Sequence, residues 1–191
     1  WFVRIAGDLP AFAISRAREQ AAASAAAMSG AGPHVFYSEL LDVLVTAFVS
    51  DGRALTADDL RGATIGGCKS ELLSALMATL RLLHNTPAPA ELLDHEGASP
   101  HGWAPQDLRR RIEYARSRGY ARIPSLLGSI EQTVAAMEIV AGAVPGPPVF
   151  CHLDLWPDNI VLVAGESSTL ASEMAPRLKL VDFEFAGLAQ P

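Results

Sequence analysis

Hydrophobic and polar positions alternate at the start of the chain. Phe2, Arg4 and Ala6 fall on one face and Val3 and Ile5 on the other, which predicts a strand over residues 1–6. An Ala-rich run follows. Ser15 is placed to cap a helix that continues to about Ser29 and stops at Gly30, because Ala is the best helix former and Gly tolerates the left-handed turn. After Pro33, Val35–Tyr37 and Val43–Val49 read as two strands around a turn near Glu39–Asp42, and Ser50-Asp51-Gly52 reads as a turn and a domain boundary. Leu72, Leu73, Leu76, Leu80 and Leu83 repeat at helical spacing and predict a helix from about Lys69 to His84. Residues 85–107 read as a loop, Pro105 to Arg118 as a basic helix, and Ser125 to Ala143 as another helix. Beyond the Pro145-Gly146-Pro147-Pro148 break come three short strands, at Val149–Cys151, Ile160–Val163 and Leu178–Val181, the last two joined by a Ser-rich connection at 164–177.

Composition narrows the classes. The chain has 191 residues, 50% of them hydrophobic and 19% charged, enough apolar material for a core. A net charge of −6 lacks the electrostatic footprint of nucleic-acid binding, so Arg109-Arg110-Arg111 with Arg116, Arg118 and Arg122 reads as a solvated helix face. His95 and His101 lack the close Cys/His pairing of a zinc site. Cys68 and Cys151 make no disulfide framework, and no apolar stretch reads as a membrane span or a signal peptide, so a cytoplasmic location is expected. The opening Trp1-Phe2-Val3-Arg4-Ile5 reads as the middle of a strand, and a fragment is expected.

Chemistry concentrates in His152-Leu153-Asp154-Leu155-Trp156-Pro157-Asp158-Asn159, which fits H-x-D-x-x-x-x-N, the catalytic-loop spacing of protein kinases and their small-molecule relatives. Phosphoryl transfer needs a carboxylate to orient the acceptor hydroxyl, a role for Asp154, and hard oxygen ligands for Mg²⁺, a role for Asn159. Asp182, 23 residues beyond Asn159 and directly after a strand, stands where the kinase scheme has its second metal ligand. The loop spacing alone would arise in roughly 1% of chains of this length, so its coincidence with Asp182 carries the reading. Asp158 reads as a turn former beside Pro157, and Trp156 as a packing residue. His152, beside the catalytic Asp154, reads as the support of the loop. Arg4 on the first strand suits a cation over the α/β-phosphates of ATP, and Glu19 on the first helix suits its ion-pair partner, with Arg16 and Arg18 as competitors.

These segments, with Phe2 to Gly7, Ile14 to Glu19, and Val181-Asp182-Phe183-Glu184-Phe185-Ala186-Gly187, resemble the choline/ethanolamine kinases within the larger aminoglycoside-phosphotransferase-like, protein-kinase-like group. The resemblance implies an α+β, truncated two-lobed protein-kinase-like fold. Residues 1–49 would be a small N-lobe sheet remnant with one helix, and residues 50–191 a mainly helical C-lobe. It implies that the phosphate-covering hairpin precedes Trp1 and that the acceptor-pocket helices follow Pro191, so that the stretch is folded yet inactive by itself. It also implies ATP and Mg²⁺ as cofactors, a hinge at residues 47–50 that meets adenine, and Glu184 and Trp156 in the vicinity of metal or substrate. Leu153 departs from the Asn common after the motif histidine in choline kinases. The expected activity is transfer of the γ-phosphoryl group of ATP to the hydroxyl of a small molecule, choline or ethanolamine first. An aminoglycoside or another alcohol is the alternative acceptor, and a catalytically silent kinase-like binding module the alternative class.

Overall fold

A computed structural model describes residues 1–5, 15–37, 43–63, 69–93, 109, 112–114, 116–119, 124–143, 146–163 and 176–189. Strand β1 (Phe2–Ile5) pairs antiparallel with β3 (Val43–Thr46), which pairs on its other side with β2 (Val35–Tyr37), giving a three-stranded sheet in the order β1-β3-β2. Phe2 stands opposite Thr46 and Arg4 opposite Leu44. Directly opposed residues share a face, so these four side chains form one inner surface, while Val3 and Ile5 point outward and are exposed. Only Arg4 of β1 is drawn partly inside, for Phe2 on the same face is exposed as well.

Helix α1 (Arg16–Ser29) lies against this sheet and is tied to it by Gln20 Nε2, which donates to the Val43 carbonyl. Its buried positions are Glu19, Ala22, Ala23 and Ala26 at helical spacing, together with Gln20 and Ala25. Small side chains let the helix approach closely. Gly30 closes α1 in the left-handed conformation at φ 81°, with its N–H on the Ala27 carbonyl, as the sequence predicts. Ser15 does occupy the N-cap position, but its side chain makes no capping hydrogen bond, a correction to the expected role.

Beyond the turn at Ser50 and Asp51, β4 (Arg53–Ala54), which the hydrophobic pattern missed for its shortness, joins β6 (Ile160–Val163) and β7 (Arg177–Leu180) in a second antiparallel sheet ordered β4-β6-β7. Helix α2 (Ala57–Ala63) was also missed. It opens with a capping box, in which the Thr56 hydroxyl accepts from Asp59 N–H and the Asp59 carboxylate accepts from Thr56 N–H. Helix α3 (Lys69–His84) has the predicted bounds, but only part of its leucine stripe is inside: Leu83 is fully buried while Leu73 is exposed. A single 3-10 turn at Ala90–Leu92 interrupts the expected loop and buries Leu92. Helix α4 (Pro124–Ala143) starts one residue before the expected bound, with Pro at its first position, where a missing N–H is harmless. The third pair is β5 (Val149–Cys151) with β8 (Gly187–Ala189), the latter not foreseen.

Two predicted strands are shorter than expected: β3 ends at Thr46 and β7 at Leu180, each followed by one more cross-strand bond in the same register, from Ala47 N–H to the His34 carbonyl and from Val181 N–H to the Asn159 carbonyl. In the basic segment, residues 109, 112–114 and 116–117 are helical, and Arg109 and Arg116 pair with Glu138 and Glu131 of α4. The turn near Glu39–Asp42, most of the Ser-rich connection, Cys68, His95 and His101 lie outside the described residues.

One core cluster joins α1, α3, β5, β6 and β7. Ala22, Ala25 and Ala26 of α1 pack in the same cluster as Leu55, Leu83, Phe150, Ile160, Leu180 and Phe183. Among the described residues no helix is long and apolar enough to cross a membrane.

Candidate active site

Asp154 and Asn159 are held together by the local fold of the loop. The turn begins at Trp156, whose N–H donates to the Asp154 carbonyl, and Pro157–Asn159 completes a 3-10 turn with Pro at its first position. That turn brings Asn159 back over Asp154, so that Asn159 Nδ2 donates both to the Asp154 carbonyl at 2.9 Å and to its carboxylate Oδ2 at 3.0 Å. With the amide nitrogen committed to Asp154, the other amide atom, Oδ1, is a hard oxygen donor held in a fixed plane.

His152 is the joint between this loop and the strand end that carries Asp182. It is 1% exposed. Its Nε2 lies 2.8 Å from the Val181 carbonyl and must donate to it, while Nδ1 accepts the Asp154 N–H at 3.3 Å. One ring nitrogen donating and the other accepting defines a neutral imidazole. Burial agrees, pushing its pKa below the usual histidine value against the raising influence of the Val181 carbonyl and of the Asp154 and Asp182 charges. The ring packs on Phe183, with centroids 4.7 Å apart, and Phe183 is itself buried. Val181 N–H donates to the Asn159 carbonyl at 3.0 Å, a second link between the same two segments.

The other half of the site is ionic. Arg4 pairs with Glu19 at 2.7 Å, and also with the carboxylates of Asp182 and Glu184. Glu19 is almost completely buried and is shared: Arg16 holds its other oxygen at 2.6 Å. The sequence left Arg16 as a competitor for Glu19, whereas it is a second partner. Partial burial opposes the charge on Arg4, but the facing carboxylates of Glu19, Asp182 and Glu184 outweigh it and hold the guanidinium pKa above its ordinary value.

Both halves reach a cavity of about 480 Å³, the loop through Asn159, with Asp154 behind it and outside the lining. Arg4, Glu19, Asn159 and Asp182 are its charged and amide-bearing lining, and Ala47, Phe48 and Val49 of the expected hinge line it too. The remaining wall is largely apolar, with Leu44, Val161 and Val181 among its members. Trp156 is exposed and is not part of this lining, so its closeness to the loop in sequence does not bring it into the cavity. Among the described residues no three His, Cys, Asp or Glu side chains are grouped to hold a metal ion. Of the two carboxylates lining the cavity, Glu19 is held by Arg4 and Arg16, which leaves Asp182, itself paired with Arg4, and the Asn159 amide oxygen as the candidate metal donors. That is a set suited to a hard cation that completes its shell with water and phosphate oxygens, as Mg²⁺ does.

Sequence reasoning foresaw Arg4, Glu19, His152, Asp154, Asn159, Asp182 and Glu184, and these do come together. It missed Thr46, Gly52 and Val161 in the cavity wall, where no chemical group distinguishes them; only a strand register could have found them.

The profile of the phosphotransferase enzyme family matches residues 1–191, so the chain belongs to that family. Three solved structures define the kind of member it is similar to. A choline/ethanolamine kinase family protein from Mesorhizobium loti superposes with a TM-score of 0.67 at 20% identity, over 98% of this chain and 53% of that one. An ethanolamine kinase from Plasmodium vivax gives 0.73 at 16% identity, over 98% and 50%. The choline kinase LicA from Streptococcus pneumoniae gives 0.66 at 17% identity, over 98% and 57%, and is matched as well in its complex with AMP. No curated protein sequence matches. At these identities the likeness is one of fold, which is α+β and protein-kinase-like, and the chain spans about half the length of the structures it matches.

Proposed function

We propose that the chain carries the nucleotide site and catalytic loop of an ATP- and Mg²⁺-dependent kinase acting on the hydroxyl group of a small molecule, with choline or ethanolamine as the acceptor. One observation carries the reading: the Arg4–Glu19–Asp182 ionic cluster and the Asp154–Asn159 pair are locked together through His152 and Val181 at one cavity. Its apolar wall and size suit a planar base, and its ionic end suits phosphates. The similarity to choline and ethanolamine kinases, one of them matched in a complex with AMP, supports the nucleotide and the acceptor class.

In this reading Arg4 binds the α/β-phosphates and Glu19, backed by Arg16, fixes the direction of Arg4. Asp154 orients the acceptor hydroxyl and takes its proton, and Asn159 steadies that carboxylate. Asn159 and Asp182 would hold Mg²⁺, with Glu184 beside them; the ion, when bound, neutralises charge on the transferring phosphoryl group. His152 positions the loop and exchanges no proton. Residues 1–49 and 50–191 form the two lobes whose junction is the cavity, in a cytoplasmic protein.

The test is ADP release by the full-length protein with Mg·ATP, offered choline, ethanolamine and a panel of aminoglycosides, with Asp154→Asn as the blank. Turnover with choline or ethanolamine that falls by about 10²-fold or more in the variant is expected. Turnover with aminoglycosides alone would replace the acceptor while keeping the mechanism. No turnover together with no Mg²⁺-dependent ATP binding would leave a silent binding module.

A further inference from the structure

Gly52 stands where the chain turns from Val49 into β4, among the lining residues of the cavity beside the segment 47–49. A Cβ placed on it would lie 2.6 Å from Val49 Cγ1 and 2.9 Å from Val161 Cγ1, with the Val49 carbonyl oxygen at 3.1 Å. Both distances to the methyl groups are below any normal carbon–carbon contact. Val49 and Val161 each line the cavity. Both are β-branched and stiff at χ1, so they cannot fold away cheaply. Val161 is fixed further by its pairing with Ala54 and Lys179 on either side. The turn is also closed by Gly52 N–H on the Val49 carbonyl at 3.2 Å, which leaves little slack in the backbone. A side chain at 52 therefore pushes a valine into the cavity or pushes the segment 47–49 off its place.

We propose that Gly52 is the specificity-determining position of the base end of this cavity: the missing side chain gives the slot the width of a purine, and any larger residue reduces it to pyrimidine size. The inference rests on the nucleotide reading above and goes further, since it assigns base size to one residue that has no chemical group. Gly52 is a place of close approach and not of unusual torsion, and for that reason nothing but a contact reveals it.

The experiment measures Kd for Mg·ATP and Mg·CTP on the full-length protein, its Gly52→Ala variant and the triple variant Gly52→Ala/Val49→Ala/Val161→Ala. The wild type is expected to prefer ATP. Gly52→Ala should weaken ATP at least tenfold and CTP less than about threefold, and removing both opposing valine side chains in the triple variant should return the ATP affinity. Val161→Leu, which leaves Gly52 and its turn intact, should reproduce the loss of ATP if Gly52→Ala does not fold. ATP and CTP falling in equal proportion, or ATP unchanged in Gly52→Ala and in Val161→Leu, would overturn the inference while the nucleotide reading stands. A wild type that binds neither nucleotide would overturn both.

Discussion

Leu153 lies in the left-handed region at φ 66°, between the histidine that anchors the loop and the aspartate assigned to the acceptor. A branched aliphatic residue there is strained by roughly 1–2 kcal/mol, whereas Asn or Gly adopts the conformation readily. Asn in its place should raise the melting temperature by about 2–4 °C; a thermal melt showing no rise would remove the strain argument. The neutral, buried His152 makes a second prediction at this scale. Its folded pKa is depressed below the ordinary 6.5, so the unfolded chain takes up a proton that the folded chain refuses. Stability contributed by the neutral ring is whole above pH 6.5 and is lost as the pH falls below it. His84, lowered by burial, acts in the same direction. His152→Gln should flatten the fall in denaturation midpoint between about pH 6.5 and 5. An unaltered slope would put the acid sensitivity elsewhere. The residue scale is also where the sequence speaks most clearly: His, Asp and Asn at fixed spacing have few other reasons to coincide, and the structure links them as that spacing requires.

The elements are less evenly legible. Helix α1 announces itself by Ala content and its Gly30 stop, and α3 by its leucines. β4 and β8, two and three residues long, carry no period and exist only because a partner strand offers hydrogen bonds; no local pattern encodes that. The breadth of the leucine stripe misleads too, since Leu73 points to water. Within α1 the small side chains are a packing requirement. Ala26 is fully buried, its carbonyl accepts the Gly32 N–H, and a Cβ on Gly32 would come within 3.1 Å of its own methyl group. Ala26→Leu should therefore cost about 1–3 kcal/mol in spite of Leu being a good helix former. Equilibrium urea denaturation checks this, and a loss under about 0.5 kcal/mol would show that α1 has room to shift.

Across the whole molecule the division at residues 49 and 50, plain in the sequence as a turn, is not a division of the core. The alanines of α1 pack with Leu180, Phe150 and Leu83 in one cluster. Unfolding should accordingly be a single transition, with near-UV and far-UV circular dichroism coincident in urea; separate midpoints would mean that part of the molecule melts alone. Two bonds make the joining concrete. The Leu180 N–H donates to the Ala31 carbonyl at 2.8 Å and Lys179 Nζ to the Gly30 carbonyl at 2.6 Å, so the C-terminal end of α1 is fastened to β7. Helix α1 is then a lever with its fulcrum at Gly30. Glu19 lies 11 residues from that fulcrum, an arm of about 16 Å, so a tilt of about 10° sweeps its carboxylate through roughly 3 Å. That arc is as long as the Glu19–Arg4 contact itself. A tilt of about 10° at that pivot would thus part Glu19 from Arg4, and the Gln20 bond to the Val43 carbonyl, one residue from Glu19, is what holds the arm against it.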